Sequence, residues 1–81
     1  MELLPFSAEA REIKLGVYQH FKGNRYRVTG IARHSETLEE LVIYQALDGE
    51  GDIWVRPVAS FIGQAETEKG LVARFIYEGE N

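Results

Sequence analysis

The sequence contains no cysteine, only two prolines and a single tryptophan, and it has no long apolar run. Each shortage excludes something. Without cysteine there is no disulfide framework and no thiolate for catalysis or metal binding, so the fold must stand on packing alone, which suits a reducing compartment. Nowhere does the chain reach the roughly 20 apolar residues that a membrane helix needs. Its start, MELLPFSAEAREIK, has no basic segment leading into an apolar one. The expected compartment is therefore the cytoplasm, with no membrane partner. The length, 81 residues, allows one domain, and a chain so short buries only roughly 60 to 65% of the surface its unfolded form exposes.

Charge is present but unevenly spread around a net value of -4. From residue 14 to 35 the chain carries Lys14, Lys22, Arg25, Arg27 and Arg33 with no acid. From 36 to 52 it carries Glu36, Glu39, Glu40, Asp48, Glu50 and Asp52 with no base. Basic and acidic strands lying side by side would let opposite charges face each other across a ladder. The competing reading is a basic face that attracts an anionic partner.

Residues 25 to 48 organise the rest. Two runs rich in Val, Ile and Tyr flank the polar connector His34-Ser35-Glu36-Thr37, which predicts an antiparallel hairpin. Before it, Val17, Gln19 and Phe21 alternate with Tyr18, His20 and Lys22 as in a strand, and Gly23-Asn24 supplies a tight turn. Gly30 marks a bend or bulge within the second strand. The third run, Leu41 to Leu47, is apolar on both faces, so it is either covered twice or leaves one face sticky. Asp48-Gly49-Glu50-Gly51-Asp52 can only be a loop, and Ile53 to Pro57 is a fourth strand stopped by proline. A helical turn over 57–61 then drops Phe61 into the core. A short strand over 62–66, a turn at 68–70 and a last strand from Leu71 to Tyr77 complete the pattern. Upstream, Ser7 caps a short helix through Glu12, with Leu3, Leu4 and Phe6 to pack it or to fray.

The expected fold is all-β: a small SH3-like barrel of five to six short antiparallel strands, with the oligonucleotide-binding barrel as rival. Residues 16–77 form the domain, 1–15 an N-terminal extension and 78–81 a loose tail. No repeat, linker or low-complexity segment interrupts it.

Three separated motifs carry a family likeness: Gly16-Val17-Tyr18-Gln19-His20-Phe21-Lys22-Gly23; Ile31 to Thr37 with Glu39-Glu40 and Tyr44; and Trp54-Val55-Arg56-Pro57 with Phe61 and Arg74-Phe75. In this order, over about residues 16 to 76, they resemble the bacterial domain-of-unknown-function family 1653. The resemblance implies a small bacterial protein and brings no catalytic residue or cofactor with it.

The residues themselves support three functional readings. His34 and Glu36 stand two apart, and His20 lies on a neighbouring strand; two imidazoles and a carboxylate suffice in principle for a catalytic zinc ion, as in a small hydrolase. The spacing matches no metal pattern, and His-x-Glu at a turn is read as groups that hydrogen-bond the loop, so no catalytic residue, metal or cofactor is assigned. A second reading is nucleic-acid binding through the basic strand 22–33, which the overall acidity disfavours. The preferred reading is a non-enzymatic module for a peptide, a protein or a small anionic ligand. Its expected contacts are Tyr18, His20, His34, Glu36, Tyr44, Trp54 and Arg56, because rings and arginine dominate interface energetics. Arg56 on an apolar strand wants a carboxylate or phosphate, and Glu36, Glu39 or Glu40 could supply the former internally.

Overall fold

The alternating runs become strands in the computed structural model of the protein, which describes residues 5–80. The strands are β1 Gly16–His20, β2 Arg25–Arg33, β3 Glu40–Ala46, β4 Ile53–Pro57, β5 Gln64–Thr67, β6 Gly70–Ala73 and β7 Phe75–Gly79. Two short helices join them, α1 Ala8–Glu12 and α2 Val58–Phe61. Among the described residues no helix is long and apolar enough to cross a membrane.

The central hairpin is β2 with β3, in register from Tyr26 opposite Ala46 to Arg33 opposite Glu40. Its register slips between Val28 and Gly30, the bulge expected at a glycine inside a strand. The other strands add outward to give the antiparallel order β4-β3-β2-β1-β7, while β5 and β6 form a separate ribbon. The result is a small barrel-like fold with seven strands rather than five or six. It is not a closed barrel, since β4 and β7 remain the two edges of the main sheet.

The last apolar run departs from expectation in an instructive way. Leu71 to Tyr77 reads as one strand but is two, because Ala73 pairs with Gln64 of β5 whereas Phe75 pairs with His20 of β1. Arg74 is the joint. Its N–H donates to the Gly63 carbonyl at 3.1 Å, and its carbonyl accepts from Phe21 N–H at 2.9 Å. β7 then continues through Gly79, where Glu78 pairs with Arg25 at 2.9 Å.

One face of the main sheet carries the core. Val28 and Val42 are fully buried there, with Tyr18, Tyr44 and Phe75 around them. At one end α2 lays Val58 and Phe61 over these residues, and Phe61 stacks on Phe75 with ring centroids 4.2 Å apart. Ala10 of α1 completes this cover. A five-residue helix cannot hold itself in place, and Ser7 fixes it from both sides. Its Oγ accepts from Ala10 N–H as an N-cap, while its own N–H and Oγ–H donate to the Glu40 carboxylate at 2.6 and 2.7 Å. Leu3 and Leu4 lie outside the described residues.

Candidate functional site

At the other end of the same face the cover is incomplete, and Tyr26 is only half-buried. The Cα register places Trp54 opposite Tyr44 and Arg56 opposite Val42, so these two β4 side chains share the inner side with the core. Beside them the β1–β2 turn brings His20, Lys22 and Asn24. Between these walls lies a hollow of about 360 Å³, floored by Tyr26 and Tyr44 and bordered by Arg74.

The rings of the floor hold one another. Tyr26 meets Tyr44 edge-on at 5.2 Å, Tyr44 meets Phe75 at 5.5 Å, and His20 meets Phe75 at 4.9 Å. Such contacts fix orientation as well as bury area. Trp54 is different: it is 52% exposed.

Cations dominate the walls. Arg56 donates through Nε to the Tyr44 hydroxyl at 3.3 Å and through Nη1 to Ser60 Oγ at 3.0 Å, with its guanidinium 5.7 Å from the Phe75 ring centre. Its partners are thus neutral oxygens and a ring, not Glu36, Glu39 or Glu40 as the sequence had allowed. Arg74 donates through Nη2 to the Gln64 carbonyl at 3.1 Å, and its buried Nε–H has no acceptor among the described residues. An unpaired buried donor costs roughly 1–3 kcal/mol. Lys22 completes the set, and among the described residues no carboxylate lines the hollow.

His20 registers this field. Its Nδ1 accepts from Lys22 N–H at 3.2 Å, which assigns the ring proton to Nε2 in the neutral form. Burial lowers the His20 pKa, and the charges of Arg56, Lys22 and Arg74 lower it further. Three positive groups therefore act on one imidazole.

The remaining predicted contacts lie elsewhere. Tyr18 is on the inner face but deep in the core, its hydroxyl donating to the Lys14 carbonyl at 2.8 Å and accepting from Lys14 N–H at 3.1 Å. Burial raises its pKa, outweighing the N–H that favours the phenolate. His34 and Glu36 sit in the β2–β3 turn, where His34 Nδ1 accepts from the N–H groups of Glu36 and Thr37 at 3.1 and 3.3 Å. That turn and His20 lie at opposite ends of β2, separated by roughly 26 Å of strand at ~3.3 Å per residue. Among the described residues no three His, Asp or Glu side chains group as a metal site.

The basic strand is largely engaged within the fold. Arg25 pairs with Glu78, Arg27 donates to the Glu80 carbonyl at 2.9 Å, and Arg33 lies over the Phe6 ring at 4.4 Å. Phe21, Lys22, Asn24, Tyr26 and Arg74 are the hollow's residues that sequence reasoning did not place in this site. For Arg74 a signal existed: it is the lone charge within an otherwise apolar run.

The family described as "Protein of unknown function (DUF1653)" matches residues 16–77, which hold every strand but the end of β7. The chain belongs to the DUF1653 family. A crystal structure of a DUF1653 protein from Bordetella bronchiseptica is similar to it, with a TM-score of 0.81 and 31% identity, over 89% of this chain and 95% of that one. No curated protein matches the sequence. The DUF1653 match takes in all the lining residues of the hollow, and α1 with Ser7 falls outside it.

Proposed function

We propose that this DUF1653 protein is a non-enzymatic binding module that holds a small anionic ligand in the hollow between the β1–β2 turn, β4 and Arg74. The observation that carries the reading is the convergence of Lys22, Arg56 and Arg74 around His20 with no carboxylate among the lining residues. In a protein of net charge -4, cations left together without an acid have a use beyond solubility. The volume lies at the small end of the range of about 300–1,000 Å³ typical of ligand pockets. The cytoplasm is the compartment we take for it, in keeping with a cysteine-free chain.

The alternatives draw less support. Arg25 and Arg27 already have partners in the fold, which weakens a nucleic-acid surface along strand 22–33. His20, His34 and Glu36 do not come together, which weakens a hydrolase.

Titration with inorganic phosphate and pyrophosphate, followed by backbone amide NMR at low ionic strength, tests the proposal. Shifts confined to residues 20–24, 54–56 and 74, lost on adding 0.5 M salt on the order of the screening limit, are expected. Shifts scattered over the surface, or none, would refute it.

A further inference from the structure

Trp54 is the feature that anion binding alone leaves unused. Every other aromatic ring at the hollow packs against a neighbouring ring, whereas Trp54 has no ring or cation over its face among the described residues and is half exposed. Opposite it across the hollow, the Asn24 side-chain amide lines the wall and makes no hydrogen bond among the described residues. A bare indole and a free amide next to unpaired guanidinium donors are the complement of a molecule with three parts: a flat ring, a polar ring edge and an anion.

Resting on the reading above, we infer that the anion is a phosphate monoester carried on a planar heteroaromatic base, the chemistry of a single nucleotide. The ring stacks on Trp54, an interaction that tolerates any base because every base has a π-face. Asn24 reads the ring edge, since an amide presents both a donor and an acceptor to it. The phosphate meets Arg56, whose Nη2 makes no hydrogen bond among the described residues, together with Lys22. The space of about 360 Å³ suits one nucleotide rather than a chain of them. The engaged Arg25 and Arg27 leave no continuing basic track for a longer strand.

Trp54 fluorescence and calorimetry with adenosine 5′-monophosphate, ribose 5-phosphate, inorganic phosphate and a short single-stranded RNA decide the matter. The expected result is that the mononucleotide quenches Trp54 and binds about tenfold or more tightly than ribose 5-phosphate, a ratio in the range of one base stacked on an aromatic ring. Trp54→Leu, at an exposed position that should fold normally, is expected to erase that ratio, bringing the mononucleotide down to the affinity of ribose 5-phosphate. Equal affinity for the mononucleotide and ribose 5-phosphate would overturn the base and leave the anion site standing. Failure of all the phosphates would overturn both. RNA binding far more tightly than the mononucleotide would replace the single nucleotide with a strand.

Discussion

The two ends of the sheet's inner face are built from the same residue types and finished in opposite ways. At the α2 end, Phe61 and Val58 cover the tyrosines, and the hydroxyl of Tyr18 exchanges two hydrogen bonds with Lys14. At the other end Tyr26 is only half-buried, and polar groups outnumber their partners: among the described residues Arg74 Nε, Arg56 Nη2 and the Asn24 amide all go without. The first end satisfies itself, and the second leaves the donors on which the proposed anion site rests. Arg56 joins the two, since Ser60 of α2 accepts from it at 3.0 Å.

Substitutions can break that division. The largest effect belongs to the covered end. Phe61→Ala removes the ring stacked on Phe75 and is expected to cost about 3–5 kcal/mol in urea denaturation; a loss below about 1 kcal/mol would mean that this end is not the core. Next, Arg56→Met should weaken phosphate binding about tenfold or more, and through the lost hydrogen bonds to Tyr44 and Ser60 it should cost about 1–2 kcal/mol of stability. Unchanged phosphate binding would take Arg56 out of the anion site. Ser7→Ala, which touches only the covered end, should lower stability by about 1 kcal/mol through the lost N-cap and leave ligand binding unchanged.

The smallest effects are in pH. The Ser7 hydroxyl and N–H hold the Glu40 pKa below its ordinary 4.5. The stability this adds is present above the ordinary value and is lost as pH falls through the lowered one. In Ser7→Ala the Glu40 titration, followed by carboxyl-carbon NMR, should move up. For His20 the folded pKa also lies below its ordinary value of 6.5, so the unfolded chain takes up the proton first. Stability then declines as pH drops from about 6.5 through the folded value. A bound phosphate offsets Arg56, Lys22 and Arg74, so the His20 pKa should rise on saturation. An unchanged His20 titration would remove the anion from this end of the sheet.

Much of the fold was legible because alternation and turn chemistry are local. The central hairpin, the bulge at Gly30, the proline stop at Pro57 and the helical turn that buries Phe61 all follow from residues within a few positions of each other. The division at Arg74 was not legible, since one strand and two strands in line have the same alternation and only the choice of partner separates them. The same limit governs the site. Tyr18 and His20 point to one side, as period two requires, but depth along the sheet decides that Tyr18 is core and His20 is wall. His20, Tyr44, Trp54 and Arg56 did come together. His34 and Glu36 went to the far turn, where a His-x-Glu closes its own loop, and the Ser7 to Glu40 clasp spans 33 positions that no local pattern connects.

The strand that carries Trp54 and Arg56 is also an outer boundary of the main ladder. Among the described residues its backbone donors and acceptors on that side have no neighbouring strand, and Ile53 and Val55, on the face away from the hollow, are 67% and 58% exposed. A polypeptide that docked there as an additional strand would extend the ladder beside the residues Trp54 and Arg56.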